Sequence, residues 1–279
     1  MTTFIIGIGL IGGSFALALR KHNLSNNILG YDASNENMQR AIELGLVDSS
    51  TTIDEGLQQA DLIVLATPVD ITPTLAIKIL NRVEAHQTVI DMGSIKEELC
   101  EVISMHANRS RFVATHPMWG TENSGPEAAQ QNAFAGRTVV ICERERSDAQ
   151  AAELVEQIYT TIDMPIIYMN AEEHDLHVAY ISHISHITSF ALALTVLEKE
   201  REDQHIFALA GGGFESTVRL AKSSASTWIP ILMRNKYNVL DVLREHIHQL
   251  QVMRKAIESD DATILKSMME KANTIKRII

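Results

Sequence analysis

The sequence predicts an α/β protein, with a doubly wound sheet in its N-terminal part and an all-helical C-terminal region. From residue 1 to about residue 165, short apolar runs bounded by turn residues alternate with helical stretches. After Tyr168 prolines nearly vanish, and apolar residues recur at helical spacing. We therefore expect one domain at residues 1–168 and a second at residues 169–279.

The apolar runs of the first domain have the length and β-branched composition of buried parallel strands. They are Phe4–Ile8, Asn27–Tyr31, Leu62–Thr67, Thr88–Met92, Arg111–Thr115, Thr138–Cys142 and Pro165–Tyr168. The clearest helices between them are Ile11–His22 and Asn35–Leu44, and Gly45 is expected to end the second of these.

The second domain is predicted to be helical throughout. Its first helix, Ala171–Glu200, would be about 45 Å long at about 1.5 Å per residue. Because this helix is apolar on several sides, we expect it to pack against a second subunit and form a homodimer. The other helical stretches are Asp203–Leu209, Phe214–Ser223 and Lys236–Ile279.

Composition restricts the class of partner and the compartment. The 279 residues carry a net charge of −11, which argues against nucleic acid or an anionic membrane as a partner. The two cysteines suggest no disulfide framework, and the N-terminus lacks a charged segment and a cleavage site. We see no uninterrupted apolar run of 18 residues, so we expect a cytoplasmic protein.

The first dozen residues predict a dinucleotide site. The glycines of a G-x-G-x-x-G motif, Gly7, Gly9 and Gly12, follow an apolar run and lead into a helix. The first permits a tight turn, the second lets the backbone approach a pyrophosphate, and the third lets the helix sit close to the sheet. The helix that begins around Leu10 and Ile11 would present free N–H groups to the phosphates.

The cofactor is predicted to be NAD. Asp32 follows the second apolar run, 20 residues past Gly12, where a carboxylate accepts hydrogen bonds from ribose hydroxyls and repels the 2′-phosphate of NADP. Thr67 and Pro68 follow the third run, in a loop well placed to pass the cofactor, although a simple turn explains them equally well.

A hydroxyl and an imidazole follow two later strands. His116 suits removal of a proton from a substrate hydroxyl, because its unperturbed pKa lies near neutrality. Pro117 restricts it to an extended conformation. Ser94 is placed to hydrogen-bond the same hydroxyl or the imidazole.

The helical region adds further polar candidates. A triple glycine that includes Gly212 opens a helix that carries Arg219, which would grip a carboxylate. His183 and His186 share one helix face and could hold a metal, but no cysteine or paired carboxylate joins them there, so we expect no metal.

Five motifs in this order resemble the prephenate/arogenate dehydrogenase (TyrA) family. They are Gly7–Ser14, Asp91–Lys96 (D-x-x-S-x-K), His116–Gly125 (H-P-M-x-G-x-E-x-S-G), Ser182–His186 (S-H-x-x-H) and Gly211–Arg219 (G-G-G-F-x-x-x-x-R). The resemblance implies a Rossmann-type NAD-binding domain, followed by an all-α dimerisation domain. It also implies oxidative decarboxylation of prephenate to 4-hydroxyphenylpyruvate, in tyrosine biosynthesis.

The resemblance also implies roles for individual residues. His116 would accept the proton of the ring hydroxyl, Ser94 would orient that hydroxyl and the imidazole, and Arg219 would hold a substrate carboxylate. Other residues would lie in or near the substrate cleft: Glu122, His174, His183, Gly212 and Trp228.

The chain departs from the family pattern at two positions. Glu215 stands where many relatives carry arginine, so we expect it to point away from the site. Trp119 is bulky enough to narrow the cleft.

Three alternatives stay open. The substrate could be arogenate in place of prephenate. A β-hydroxyacid-type dehydrogenase usually relies on a catalytic lysine in the long helix, but Ala171–Leu197 contains none. A non-catalytic NAD sensor would not need Ser94, His116 and Arg219 together.

Overall fold

The computed structural model describes residues 1–201 and 205–277. Contacts group the chain into two compact units, Met1–Asn235 and Lys236–Ile279. The first unit contains the sheet and also the first part of the helical region. The boundary predicted between residues 168 and 169 falls inside the last strand, Ile166–Met169, just before the first long helix, and it stays a prediction.

The first unit is built on an eight-stranded sheet with the order β3-β2-β1-β4-β5-β6-β7-β8. The strands are β1 (Thr2–Ile6), β2 (Asn27–Tyr31), β3 (Ser49–Ser50), β4 (Leu62–Leu65), β5 (Thr88–Asp91), β6 (Phe112–Pro117), β7 (Val139–Cys142) and β8 (Ile166–Met169). The order reverses direction between β1 and β4, so the carboxyl ends of these two strands border the crevice in which such sheets bind ligands.

The helices before and after the sheet strands complete the unit. They are α1 (Leu10–Lys21), α2 (Asn35–Glu43), α3 (Ile53–Gln59), α4 (Thr72–Leu80), α5 (Glu97–Ile103), α6 (Ala149–Thr161), α7 (Ala171–Val178), α8 (Ile184–Glu200), α9 (Gly212–Val218) and α10 (Ala225–Arg234). The second unit contains α11 (Lys236–Glu258) and α12 (Ala262–Ala272).

Two apolar layers cover the two faces of the sheet. Phe15 of α1 and Tyr159 of α6 belong to one buried cluster, and Ile79 of α4 and Leu99 of α5 belong to the other. Successive residues of β1 alternate between the clusters, because side chains alternate across a strand. The predicted doubly wound α/β class is confirmed.

The sheet departs from the predicted parallel pattern at one position. β7 runs antiparallel to β6, with His116 opposite Val140, whereas β8 returns parallel to β7. An apolar run shows that a strand is buried but not which way its partner runs. β8 lies at the edge of the sheet, and Tyr168 is 51% exposed there.

The long helix forms where it was predicted, but it contains an irregular turn. A π-helical turn, Ala179–His183, connects α7 and α8. The segment Ala171–Glu200 is the one helix of the described ranges that is long and apolar enough to cross a membrane by length and composition. Its best window has a mean hydropathy of 1.3 and is only 11% buried.

The remaining helical predictions are met in part. α9 is followed by a 3-10 turn, Arg219–Lys222, inside the predicted Phe214–Ser223 stretch. The predicted Lys236–Ile279 stretch divides into α11 and α12, with Asp261 capping the second helix. Residues 203–204 of the predicted Asp203–Leu209 helix lie outside the described residues, as do residues 278–279.

Candidate active site

The glycine-rich loop leaves β1 at the switch point of the sheet. Gly7 has φ +96°, and a Cβ there would lie 2.4 Å from the carbonyl oxygen of Ala66. A Cβ on Gly12 would lie 2.0 Å from the Gly7 carbonyl oxygen, so α1 packs directly against the loop. A Cβ on Gly9 would meet no atom within 4 Å, which leaves that face of the backbone open to a ligand.

Asp32 connects this loop to the end of β2. Its Oδ2 accepts a hydrogen bond from the backbone N–H of Ile8 at 2.9 Å, and its Oδ1 accepts one from Ser34 at 2.9 Å. The carboxylate also borders an open cavity of about 710 Å³. The cavity lining includes Glu43 and Glu55 and no lysine or arginine, so it suits a neutral ribose better than a phosphate.

The loop after β4 lies beside the glycine-rich loop. The backbone N–H of Ala66 donates to the carbonyl of Ile6 at the end of β1. Thr67 comes next, and its hydroxyl lies 2.9 Å from the hydroxyl of Thr72. Pro68 follows and is exposed. The predicted cofactor residues on β1, β2 and β4 thus meet at one edge of the sheet.

His116 lies near the carboxyl end of β6, at the same edge as the other strand ends. Its side chain is buried, and Nδ1 lies 2.8 Å from Nε2 of His174. Burial away from water holds the pKa of His116 well below its usual value, and the neighbouring His174 and Lys96 lower it further. The imidazole is therefore neutral at physiological pH, as a proton acceptor must be.

His174 contacts His116 at Nδ1, which is the ring nitrogen that the substrate hydroxyl would not use. It is completely buried, and its Nδ1 lies 2.7 Å from Oδ1 of Asp175. Because His116 and Asp175 engage its two ring nitrogens, His174 has no free nitrogen for a substrate atom. That His174 lies in or near the substrate cleft stays a prediction; in this geometry its side chain contacts His116.

A buried ion pair supports the turn that carries Ser94. The side chains of Lys96 and Asp91 are both completely buried and contact each other. Asp91 also accepts hydrogen bonds from the N–H of Gly93 at 2.9 Å and of Thr115 at 3.1 Å. The pair thereby joins the end of β5, the Ser94 turn and the strand residue that precedes His116.

Ser94 itself is half-buried on this turn. Within the described part of the chain, its hydroxyl has no hydrogen-bond partner, and Nδ1 of His116 is bonded to His174 instead. Both partners predicted for Ser94, the substrate hydroxyl and the imidazole through its free Nε2, stay predictions.

Two histidines and a tryptophan form one wall of the site. The ring of Trp228 stacks on that of His186, with centroids 3.4 Å apart, and meets the edge of His183 at 5.9 Å. His183 is buried, and its Nδ1 lies 3.2 Å from the side-chain amide nitrogen of Asn235. Burial lowers the pKa of His183 to about 4, so this wall is uncharged at neutral pH.

Arg219 is a partly exposed cation near His186. Its Nη1 lies 2.8 Å from Oε2 of Glu122. Burial lowers the pKa of His186, and the charge of Arg219 lowers it further. Gly212, also predicted to line the cleft, is exposed at the first position of α9.

The two departures from the family pattern have different surroundings. Glu215 is exposed on α9. Trp119 packs edge-on against Phe134, with ring centroids 5.6 Å apart, in one of the core clusters. At least part of the Trp119 side chain therefore packs in the core, and its predicted narrowing of the cleft stays a prediction.

Sequence reasoning missed several members of this site. Asp175, Lys96 and Asn235 are buried polar residues that contact or support the predicted site residues. Only the D-x-x-S-x-K motif and the adjacency of Asp175 to His174 pointed to them. Across residues 1–201 and 205–277, no group of three or more His, Cys, Asp or Glu side chains is arranged to hold a metal ion.

Comparison with known proteins identifies the family. Residues 15–168 match the model of the prephenate dehydrogenase nucleotide-binding domain, and residues 170–271 match that of the prephenate dehydrogenase dimerization domain. A prephenate dehydrogenase of Bacillus subtilis is 31% identical over 94% of this chain and 71% of its own length. A cyclohexadienyl dehydrogenase of Zymomonas mobilis is 31% identical over 95% of this chain and 92% of its own length.

A solved structure agrees over the whole chain. Prephenate dehydrogenase from A. aeolicus, in complex with hydroxyphenyl propionate and NAD+, has a TM-score of 0.88 and 29% identity. The match covers 100% of this chain and 98% of the other. The chain belongs to the prephenate dehydrogenase family of oxidoreductases.

Proposed function

We propose that the protein catalyses the NAD-dependent oxidative decarboxylation of prephenate to 4-hydroxyphenylpyruvate, in tyrosine biosynthesis. The observation that carries this proposal is the neutral, buried imidazole of His116, near the end of β6 at the dinucleotide edge of the sheet. Its Nδ1 is occupied by His174, which leaves Nε2 for a substrate hydroxyl. The names of the relatives in B. subtilis and A. aeolicus support the choice of substrate.

The residues at the switch point fit NAD. The open face at Gly9 suits a pyrophosphate, and the N-terminus of α1 at Leu10 and Ile11 adds N–H donors. The carboxylate of Asp32 suits the hydroxyls of the adenosine ribose, next to the acidic cavity. When bound, NAD supplies the acceptor for the hydride on the ring carbon that bears the hydroxyl.

His116 manages a single proton. Its Nε2 takes the proton of the ring hydroxyl as that carbon is oxidised to a carbonyl. Loss of the ring carboxylate as CO2 sends the electron pair of the broken C–C bond into the ring, which becomes an aromatic phenolate. The phenolate oxygen then takes the proton back, so that prephenate and NAD+ give 4-hydroxyphenylpyruvate, CO2 and NADH with no net proton.

Arg219 and its neighbours position the substrate. We assign the Arg219 guanidinium to a substrate carboxylate, which would compete with Glu122 for it. The stacked Trp228 and His186 offer an uncharged wall for the ring, and Ser94 offers a hydroxyl to the oxygen that loses its proton. Because positioning is the main contribution of such side chains, few catalytic groups are needed.

The helical region is proposed to form a homodimer. It matches a dimerization domain, and the segment Ala171–Glu200 exposes large apolar side chains, among them Leu194 at 66%. Apolar surface of this kind is stabilised by burial against a second copy. We also propose a cytoplasmic location, on the grounds of the free, buried Cys100 and Cys142.

One specific observation keeps a second substrate in view. The relative in Zymomonas mobilis carries the broader name cyclohexadienyl dehydrogenase. Arogenate carries an amino group where the side chain of prephenate carries a keto group. The two molecules therefore present the same ring to His116. A β-hydroxyacid dehydrogenase is disfavoured, because Lys199 is the one lysine of Ala171–Glu200 and lies at its far end.

The test is a comparison of initial rates with prephenate and arogenate, each with NAD and with NADP. We expect prephenate with NAD to give the highest kcat/KM, with equal amounts of NADH and CO2 formed. A protein that binds NAD but reduces it with neither substrate would instead support a non-catalytic sensor.

A further inference from the structure

Two hydrogen bonds link His116 through His174 to Asp175, and the donor of each is fixed by the protonation state of Asp175. Its Oδ1 accepts the backbone N–H of Lys96 at 2.7 Å, and its Oδ2 accepts that of Glu97 at 2.9 Å. Backbone amides only donate, so both oxygens act as acceptors, as those of a carboxylate do. Asp175 is 3% exposed, so water does not stabilise its charge. The two backbone N–H groups at the start of α5 stabilise it instead.

The carboxylate sets the tautomers of both histidines. Because Oδ1 of Asp175 accepts, Nδ1 of His174 carries the proton of their 2.7 Å hydrogen bond. Nε2 of neutral His174 is then an acceptor, and Nδ1 of His116 must donate in the 2.8 Å hydrogen bond between them. Nε2 of His116 is left with its lone pair, which is the state that a proton acceptor needs.

Burial lowers the pKa of both rings, but the charges around them differ in sign. His116 is faced by His174, Lys96 and His183, all of which oppose a positive charge on it. His174 is faced by Lys96, but also by Asp175 and Asp91, which favour a positive charge. In a buried site these differences are weakly screened.

We propose that His174 and Asp175 form a proton relay behind His116, so that the positive charge created by substrate deprotonation is held on His174. When Nε2 of His116 takes the hydroxyl proton, the Nδ1 proton of His116 passes to Nε2 of His174. His116 is again neutral, and imidazolium His174 lies against the carboxylate of Asp175. Both transfers reverse when the phenolate recovers its proton, so atoms and charge balance over the cycle.

This relay rests on the proposed function and adds two positioning residues to it. His174 and Asp175 contact neither substrate nor cofactor, and they act only through His116. The relay explains why two buried polar side chains, His174 and Asp175, follow one catalytic base, where a single acceptor would suffice to fix its tautomer.

The decisive variant is His174→Gln. A glutamine carbonyl accepts the Nδ1 proton of His116 while its amide donates to Asp175, so the tautomer is kept, but glutamine takes up no proton. We expect kcat to fall by about 100-fold, the low end of the range for general acid–base catalysis, with KM for prephenate and NAD affinity within about twofold of wild type. The pH below which kcat/KM falls, its acid limb, should move to a lower value. The reason is that the positive charge of protonated His116 can no longer pass to a residue next to Asp175, so the pKa of His116 is lower.

Two further proteins keep the test interpretable. His177→Gln alters an exposed histidine on the same helix and should leave kcat and the acid limb unchanged. Asp175→Asn removes the charge but not the size of the carboxylate, and we expect the same two effects from it. Melting temperature and NAD binding are measured for each variant, so that a folding defect is recognised.

Each outcome decides the proposal. If kcat of His174→Gln stays within about threefold of wild type, His174 only fixes the tautomer of His116, and the relay is overturned. A loss of kcat with an unmoved acid limb in both variants would show a structural role and overturn it as well. Failure of the proposed function is distinguishable, because wild type itself would then fail to reduce NAD with prephenate.

Discussion

Nη1 of Arg219 lies 2.8 Å from Oε2 of Glu122, in an ion pair that joins the end of α9 to the loop after β6. The pair is only partly buried, with the two side chains 51% and 24% exposed. Such exposed pairs contribute at most about 1 kcal/mol, so a substrate carboxylate can replace Glu122 at little cost.

Replacement of Arg219 by glutamine should therefore weaken substrate binding and leave chemistry nearly unchanged. A hydrogen bond to a charged group contributes about 1.5–3 kcal/mol, so KM for prephenate should rise roughly 10- to 100-fold. Steady-state kinetics measure it, and Arg244→Gln, which breaks an exposed pair with Asp241, is the control. An unchanged KM would remove Arg219 from the site.

Cofactor preference should depend on Asp32. Asp32→Asn removes the charge that repels a 2′-phosphate, so the ratio of kcat/KM for NAD over NADP should fall by about tenfold or more, equivalent to about 1.4 kcal/mol. Glu36→Gln, an exposed change on the following helix, should leave the ratio unaltered. A wild-type protein that prefers NADP would contradict the assignment.

The buried pair of Lys96 and Asp91 should matter greatly for stability. Lys96→Met leaves Asp91 charged and unpaired in the interior, which should lower the free energy of unfolding by about 3–5 kcal/mol. Urea unfolding followed by circular dichroism measures the change. Lys78→Met, on the exposed face of α4, serves as control, and a Lys96 variant as stable as that control would show that the pair is dispensable.

Acid should destabilise the fold through His183. Burial lowers its folded-state pKa to about 4, whereas in the unfolded chain it titrates near 6.5. Between these values only the unfolded chain binds the proton, so the free energy of unfolding falls as pH drops from about 6.5 to about 4. Urea unfolding at several pH values should show a shallower fall for His183→Gln than for wild type. Equal slopes would mean that His183 is not a buried neutral group.

The sequence was most informative about features that depend on local pattern. Short β-branched runs located seven of the eight sheet strands but not β3, which consists of two exposed serines. The G-x-G-x-x-G spacing located the turn at which Gly7 takes a positive φ. The cap at Gly45, with φ +68°, follows from the same local chemistry, because glycine tolerates the left-handed region.

Features that depend on partners from elsewhere in the chain were not predictable. The antiparallel pairing of β7 is set by the path of the chain and not by its apolar run. The π-helical turn Ala179–His183 lies inside a segment that the sequence predicted as one continuous helix. Asp175 looks like an ordinary helix-surface acid in sequence, and only the fold brings it to the start of α5.

The measurement that tests the account most directly compares His116→Asn with wild type. Asparagine is polar and smaller than the imidazole, and it accepts no proton at neutral pH, so NADH formation from prephenate should be lost, while prephenate and NAD binding stay within about threefold of wild type. His86→Asn, at an exposed histidine, should retain full activity. A His116→Asn protein that turned over prephenate at the wild-type rate would contradict the central claim.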